Sequence, residues 1–197
     1  MLYILRHGQT DYNLKRITQG RGVNSELNAA GLAQAQAFHA KYNAHPFEHI
    51  YTSSLIRTHQ TVGAFTQPKT ALTELDEISW GVFEGKSEVE RTGERLGDIS
   101  VFINRWNSGE VTAKVSGGES AQDVADRLLS ILPQLRAHTN DILVCTHGRT
   151  LRILMCLLTN TPLTAQDKFP HKNTSLYVVD QTKVHTFNDL GHIVVKP

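Results

Sequence analysis

The feature that most constrains the fold is a pattern that occurs twice, once near each end of the chain. Residues 2–5 are apolar and lead directly into Arg-His-Gly at 6–8, and residues 142–145 are apolar and lead into Thr-His-Gly at 146–148. Short apolar runs of this length are typical of buried strands. Parallel sheets carry their chemistry at the carboxyl ends of strands, where the chain leaves the core. We therefore predict a single pocket to which both ends of the sequence contribute.

Between these two strands, helical and strand patterns alternate along the chain. Helices are predicted over 27–42 with Asn28 as N-cap, over 55–65, after residue 120 and over 149–159. Short strands are predicted over 47–52 and 70–72, and a terminal hairpin is predicted to pair 176–179 with 184–187. This alternation predicts an α/β three-layer sandwich, with a mostly parallel central sheet and helices on both faces.

Two local details of the long helix after residue 120 are also predicted. Ser116 and Glu119 have the spacing of a capping box. The apolar stripe of the helix is expected to bury Leu129 together with Val124, Leu128 and Leu132.

The bulk properties favour one domain and exclude some partners. With 197 residues, 40% of them hydrophobic, the chain can bury a substantial core, so we predict a single domain over 1–197 with a short helical lid at about 86–115. The net charge of +1 gives no electrostatic case for nucleic acid, and the longest apolar run, 153–158, is too short for a membrane. No secretory signal opens the chain, and Cys145 and Cys156 read as buried free thiols, so a cytoplasmic location is expected.

Four cationic or imidazole side chains are expected to share the predicted pocket. Arg57 lies one turn into the helix after the 47–52 strand, so that three strand ends converge with Arg6, His7 and His147. Two guanidinium groups and two imidazoles suit a doubly charged phosphoryl group. For a lone His-Gly pair, a solvated or locally satisfied residue would be the better interpretation, but two such pairs at strand ends favour a site.

A phosphoryl site of this kind predicts nucleophilic catalysis by a histidine. The cationic neighbours should depress the pKa of His7 in the empty site, and a neutral imidazole can attack phosphorus. The leaving oxygen then needs a proton, for which Glu77 is the first candidate. Asp76 and Glu84 are nearby competitors, and spacing alone does not separate the three carboxyl groups.

Several short motifs occur in an order that is typical of one known family. They are Arg6-His7-Gly8, Asn13, Leu27 with Gly31 and Gln34, 53–58, Glu77 with Gly81, 84–85, 117–120 and Thr146-His147-Gly148. As a set, over residues 2 to about 155, they resemble the histidine phosphatase superfamily, also called phosphoglycerate mutase-like. The resemblance implies that family's α/β fold, with no metal or other cofactor and a small phosphorylated metabolite as substrate.

The resemblance also implies roles for individual residues. His7 would be phosphorylated and Glu77 would donate the proton, while Arg6, Arg57 and His147 would hold the phosphoryl group. Further phosphate or substrate contacts are expected from the polar or glycine residues Asn13, Gln19, Gly20 and Gly148. Substrate selection is expected from 17–24 and 86–115.

Within the family, the sequence favours a phosphatase over a mutase. Mutases resemble this chain at the core but are usually longer, with a tryptophan followed by paired arginines, and residues 104–107 lack that pair. The start at 6–10 and the compact length resemble small-molecule phosphatases, including alpha-ribazole and broad-specificity phosphatases. A mutase stays an alternative because three arginines of the predicted lid at about 86–115, here named the excursion, could bind a second acidic group. These are Arg91, Arg95 and Arg105.

Other classes of protein fit less well. Residues 81–87 resemble a nucleotide P-loop but have one residue too few between their glycines. Cysteine-dependent phosphatases have an arginine six positions after the cysteine, whereas position 151, six after Cys145, is leucine. His45 and His49 are separated by a proline and lack a carboxylate cluster, so no metal site is expected. The remaining histidines are interpreted as surface or locally hydrogen-bonded residues; they are His39, His59, His138, His171, His185 and His192. A non-catalytic phospholigand-binding module and a homodimer stay open as alternatives.

Overall fold

The computed structural model describes residues 1–93 and 97–193 and has a six-stranded sheet at its centre. The strands are β1 (Leu2–Arg6), β2 (His49–Thr52), β3 (Lys69–Ala71), β4 (Ile142–Thr146), β5 (Leu176–Asp180) and β6 (Lys183–Asp189). Their order is β3-β2-β4-β1-β5-β6. The pairs β3–β2, β2–β4 and β4–β1 are parallel, whereas β5 is antiparallel to both β1 and β6. The predicted α/β class and mostly parallel sheet are confirmed.

The register of β1 against β4 brings the two His-Gly pairs together. Leu5 lies opposite Cys145, and Arg6 lies opposite Thr146. The backbone N–H of His7 donates to the carbonyl oxygen of Thr146 at 3.0 Å. Both strands therefore end side by side, although about 140 residues separate them along the chain.

Alternation along β1 explains why the sheet is covered on both faces. Leu2 and Ile4 belong to the apolar cluster on one face, and Tyr3 and Leu5 belong to the cluster on the other. Ile4 and Leu5 are fully buried. Each such side chain contributes about 1.5–3 kcal/mol to folding, so a one-residue shift of this strand would be strongly disfavoured.

Seven α-helices and three short 3₁₀ turns connect the strands in the described residues. The helices are α1 (Asp11–Leu14), α2 (Ala29–Tyr42), α3 (Ile56–Thr61), α4 (Glu88–Gly93), α5 (Ile99–Asn107), α6 (Ala121–Arg136) and α7 (Gly148–Leu158). The turns are Thr73–Leu75, Gly81–Phe83 and Leu163–Lys168. None of the helices in 1–93 or 97–193 is long and apolar enough to cross a membrane.

Most predicted helix positions agree with the structure, but some of their details do not. Asn28 caps α2, accepting from the N–H of Gly31 at 2.9 Å, as expected. The helix predicted over 55–65 is only Ile56–Thr61, because two β-branched residues and Gly63 interrupt it.

Of the two predicted details of α6, the capping box is wrong, whereas the buried apolar stripe is confirmed except at Leu129. Its capping box consists of Ser120 and Asp123, not Ser116 and Glu119. Glu119 instead accepts from the backbone N–H of Ser79 at 2.8 Å, which ties α6 to the loop after β3. Leu129 is 49% exposed because it lies beside the buried i, i+4, i+7 stripe and not on it.

The excursion, residues 86–115, contains two short helices in its described part, α4 and α5. Its anchor is Trp106, which is fully buried and donates from Nε1 to the carbonyl oxygen of Ala113 at 2.7 Å. The Trp106 ring stacks on Trp80, with ring centres 5.8 Å apart. The excursion is therefore packed against the body of the protein through an aromatic pair. The single domain over 1–197 stays a prediction.

Candidate active site

A cavity of about 170 Å³ opens at the carboxyl ends of β1, β2 and β4, where the sequence predicts the pocket. It is lined by Arg6, His7, Asn13, Ile17, Gln19, Arg57, Glu77, Trp80, Gly148, Arg149 and His171. A larger cavity, of about 370 Å³, lies at the opposite end of the strands, near Met1 and Asp180. None of the predicted site residues lines that larger cavity, and one of them, Arg6, lines a further cavity of about 380 Å³. The cavity of about 170 Å³ is the candidate active site because it is lined by seven of them.

His7 has one ring nitrogen available to the cavity. Its Nδ1 lies 2.7 Å from the carbonyl oxygen of Gly8. Since a carbonyl oxygen only accepts, the proton is on Nδ1 and the lone pair is on Nε2. Burial, and then the charges of Arg57 and Arg6, hold the pKa of His7 well below its ordinary value. The ring is therefore neutral near pH 7 and able to act as a nucleophile.

Close packing around Gly8 holds this histidine in place. The N–H of Gly8 donates to Oγ1 of Thr61 at 2.9 Å. A Cβ atom on Gly8 would lie 2.7 Å from the carbonyl oxygen of Gly31 in α2, closer than such atoms approach. A side chain at position 8 would push α2 away from the His7 loop, so this position requires glycine.

Two guanidinium groups flank the His7 ring. Arg57 is fully buried, donating from Nη1 to the carbonyl oxygen of Val23 at 2.7 Å. Arg6 has no side-chain hydrogen bond within the described residues, and its Nε is buried without a partner. Burial is the main cause that lowers the pKa of each arginine to about 10, so both remain cationic near pH 7. This arrangement offers the guanidinium donors of Arg6 to an anion, beside the second positive charge of Arg57.

The structure places His147 behind Arg57 and not on the cavity wall. Its Nδ1 accepts from Nε of Arg57 at 3.1 Å, and its Nε2 lies 2.7 Å from Oγ of Ser53. Burial, followed by the charge of Arg57, lowers its pKa well below the ordinary value. The ring centre is 5.1 Å from that of His7. With both nitrogens engaged, His147 positions Arg57 in this geometry.

The amide of Asn13 is oriented by its neighbours. Oδ1 of Asn13 accepts from the N–H of Thr10 and from Nδ2 of Asn173, at 3.2 and 3.1 Å. Its amide nitrogen is left to donate toward the cavity. Asn173 also donates to the carbonyl oxygen of His7 at 3.1 Å, a link that the sequence gives no reason to expect.

Of the other two predicted contacts in this loop, one lines the cavity and one does not. Gln19 lines it, with Nε2 donating to Oγ1 of Thr10 at 2.7 Å. Gly20 does not, and its carbonyl oxygen instead accepts from Nη2 of Arg57 at 3.4 Å.

The structure separates the three candidate carboxyl groups. Glu77 lines the cavity, and its carboxyl group lies against the first turn of α7. There the N–H of Thr150 donates to Oε1 at 3.0 Å and the N–H of Arg149 donates to Oε2 at 3.1 Å. Asp76 instead accepts from the N–H and Oγ of Ser54, each at 2.8 Å. Glu84 accepts from the N–H of Trp80 at 2.8 Å. Neither competitor lines the cavity.

Sequence reasoning assigned no role to two polar residues of the cavity. Arg149 follows the second His-Gly pair directly, so its position was visible in the sequence. His171 was interpreted as a surface or locally hydrogen-bonded residue, which is wrong. It lines the cavity, and its Nδ1 is buried without a hydrogen-bond partner among the described residues.

Two of the three arginines that kept the mutase alternative open, Arg91 and Arg105, do not line the cavity. Arg91 is 5% exposed and donates to Oγ1 of Thr18 at 2.7 Å. Arg105 is paired with Glu110, its Nε donating at 2.8 Å. Arg95 lies outside the described residues. No residue of 86–93 or 97–115 lines the cavity, so this part of the excursion braces the wall from behind.

The two cysteines are buried free thiols, as the sequence predicts. Burial raises the pKa of Cys156 to about 12 and that of Cys145 above its ordinary range. Within the described residues, no group of three or more His, Cys, Asp or Glu side chains is arranged to hold a metal ion.

Comparisons with known proteins show which family the sequence resembles. The sequence model of the histidine phosphatase superfamily, branch 1, matches residues 2–189. A Hydrogenobacter thermophilus protein that carries the name phosphoserine phosphatase 2 is 31% identical, over 82% of this chain and 80% of the relative. A Salmonella choleraesuis protein that carries the name phosphoglycerate mutase GpmB is 28% identical, over 98% of this chain and 94% of the relative.

A solved structure shares the fold. It is an Escherichia coli protein named alpha-ribazole-5'-P phosphatase, with a TM-score of 0.82 and 24% identity. The match covers 95% of this chain and 95% of that chain.

Proposed function

The chain belongs to the histidine phosphatase superfamily, and we infer that it is a phosphatase of small phosphorylated metabolites that works through a phosphohistidine at His7. One observation carries the proposal: the neutral His7 ring has its free Nε2 in a cavity lined by Arg6 and Arg57. The relative from Hydrogenobacter thermophilus, by its name a phosphoserine phosphatase, supports hydrolysis of a small phosphomonoester.

In the first step, Nε2 of His7 attacks phosphorus and the bond from phosphorus to the ester oxygen breaks. The electron pair of that bond goes to the leaving oxygen, which takes a proton from Glu77. Arg6 and Arg57 stabilise the charge on the equatorial oxygens of the transferring group. In the second step, water attacks phosphorus and gives a proton to Glu77. The bond from phosphorus to Nε2 of His7 breaks, its electron pair returns to Nε2, and phosphate leaves.

The contacts of Glu77 indicate which of its oxygens carries the proton. Oε1 accepts two hydrogen bonds from backbone N–H groups, those of Ile78 and Thr150, while the Thr150 hydroxyl donates its one proton to the carbonyl oxygen of Asp76 at 2.7 Å. Among residues 1–93 and 97–193, the only donor to Oε2 is the N–H of Arg149. Oε2 therefore has a free lone pair for the proton that passes to the leaving oxygen.

A phosphoglycerate mutase is the second candidate, favoured by the name of the Salmonella relative. A mutase must hold a bisphosphorylated substrate while the phosphoryl group moves between its hydroxyls. Arg91 and Arg105 are engaged elsewhere, which removes two of the cations that such a substrate would need. The phosphatase is therefore the better supported function.

We also propose a cytoplasmic location, since two buried free thiols suit a reducing compartment. Light scattering of the purified protein tests the homodimer that the sequence leaves open.

The test is hydrolysis of 4-nitrophenyl phosphate in excess chelator, by the native protein and by His7→Ala. We expect His7→Ala to lower kcat by about 10³-fold or more, since the nucleophile is lost. His185→Ala, at an exposed position on β6, is the matched control and should retain full activity. Rapid quenching should trap a phosphohistidine in the native protein and none in His7→Ala.

Three outcomes would contradict the proposal. Equal turnover in the native protein and His7→Ala would rule out His7 as the nucleophile. Phosphate binding without any turnover would indicate a binding module. Interconversion of phosphoglycerates that depends on a bisphosphate primer would indicate the mutase.

A further inference from the structure

Arg149 is a third guanidinium group in the cavity, in addition to Arg6 and Arg57, which bind the phosphoryl group in the proposed mechanism. Its Nη1 donates to Oε1 of Gln166 at 3.0 Å and to Oδ1 of Asp167 at 3.4 Å. The guanidinium carbon lies 5.8 Å from the centre of the Trp106 ring. These contacts fix the side chain and leave its Nε and Nη2 without a hydrogen-bond partner among the described residues.

The positive charge of Arg149 is only partly compensated. Asp167 also pairs with Arg152 and accepts from Nδ2 of Asn107 at 2.9 Å. One carboxylate therefore faces two guanidinium groups. Once a phosphoryl dianion is bound by Arg6 and Arg57 and Glu77 carries its proton, the cavity retains one unpaired positive charge.

His171 lies beside Arg149 in the same wall and has hydrogen-bonding capacity to offer. Its Nδ1 is buried without a partner in the described part of the chain, and natural proteins seldom leave such atoms unsatisfied. The ring occupies the space above Gly148, its Cε1 being 2.6 Å from where a Cβ at that position would lie. Glycine at position 148 therefore makes room for His171 in the cavity wall.

We propose that Arg149 and His171 form a second subsite, which binds a carboxylate on the leaving group of the substrate. The proposal rests on the phosphatase function above and names the class of its substrate, a phosphomonoester that carries a carboxylate. A carboxylate supplies one negative charge and two planar acceptor oxygens, which match the free edge of a guanidinium group. The neutral His171 ring can donate one further hydrogen bond to it.

The experiment compares two substrates that differ only in this carboxylate, O-phosphoserine and O-phosphoethanolamine. The quantity measured is the ratio of their kcat/KM values, which cancels any loss common to both. We expect the native protein to favour O-phosphoserine and Arg149→Met to lower the ratio by about 10- to 100-fold, the range for a charge-assisted hydrogen bond. Arg149→Lys, which retains the charge but not the fork, should give an intermediate ratio.

Arg105→Met is the matched control, because Arg105 is an arginine of the excursion that pairs with Glu110 away from the cavity. It should leave the ratio unchanged. His171→Gln should lower the ratio by a smaller factor than Arg149→Met, since it removes a neutral contact.

Two results would overturn the proposal. One is a ratio in Arg149→Met equal to that of the native protein, which would reduce Arg149 to a structural role. The other is a native ratio near one while 4-nitrophenyl phosphate is still hydrolysed through His7. The second result leaves the phosphatase function intact, whereas failure of that function would appear as no His7-dependent hydrolysis of any ester.

Discussion

Glu77→Gln separates proton donation by Glu77 from its structural contacts. The amide retains the shape of the side chain, and its oxygen can still accept from Ile78 and Thr150 at the Oε1 position. It has no acidic proton to give. At the Oε2 position its NH₂ group would face the N–H of Arg149, donor against donor.

The loss of the acidic proton and the new contact between two donors differ in size and in how they depend on the substrate. Loss of a general acid costs about 10²- to 10⁴-fold in rate when the leaving group is an alkoxide, which needs a proton. Nitrophenolate leaves as a stable anion, so the loss for 4-nitrophenyl phosphate should be less than about 10-fold. The unsatisfied donor should lower the free energy of unfolding by about 1–3 kcal/mol, for whichever substrate is assayed.

The assay is therefore kcat/KM for O-phosphoethanolamine and for 4-nitrophenyl phosphate, with urea unfolding of each variant. Glu84→Gln is the matched control, since Glu84 accepts from the N–H of Trp80 and does not line the cavity. Its losses should be equal for the two esters. If Glu77→Gln lowers kcat/KM by the same factor for both esters, Glu77 acts only by supporting α7 and is not the proton donor. Leaving-group dependence in Glu84→Gln would assign the acid to Glu84.

Two further predictions concern stability. Burial lowers the folded-state pKa of His192 from 6.5 to about 4, so below pH 6.5 the unfolded chain binds a proton that the folded chain does not. This residue should therefore lower the free energy of unfolding by about 2 kcal/mol between pH 6.5 and 5.0, and His192→Gln should remove that part of the decrease. An equal decrease in both proteins, measured by urea unfolding, would be the contrary result. Trp106→Ala should lower the free energy of unfolding by about 3–5 kcal/mol, because a fully buried indole is lost together with its stacking on Trp80. A free energy of unfolding within about 1 kcal/mol of the native value, measured by thermal unfolding, would contradict the role of Trp106 as anchor of the excursion.

Part of the fold and of the site was predictable from short windows of sequence. The apolar runs 2–5 and 142–145 predict strands, and glycine after each histidine marks where the chain leaves the sheet. These signals are local, because strand period and backbone freedom depend on neighbouring residues. They were sufficient to predict that His7 lies in the cavity and that the two strand ends meet.

The direction of individual side chains was not predictable in this way. Asp76, Glu77 and Glu84 lie within a few residues of one another and have the same chemistry, yet only Glu77 faces the cavity. Its direction is determined by the first N–H groups of α7, more than 70 residues away along the chain. No local pattern records that contact.

The sequence by itself determined the α/β class, the pairing of the two strand ends and the nucleophile candidate. Only the tertiary structure decided that Glu77 faces the cavity, that His147 lies behind Arg57, and that Arg149 and His171 join the wall. Secondary structure follows from the period of apolar residues and from backbone preferences over a few positions. Which polar groups share a cavity depends on packing between segments that are distant in the chain, and that packing is not written in any one of them.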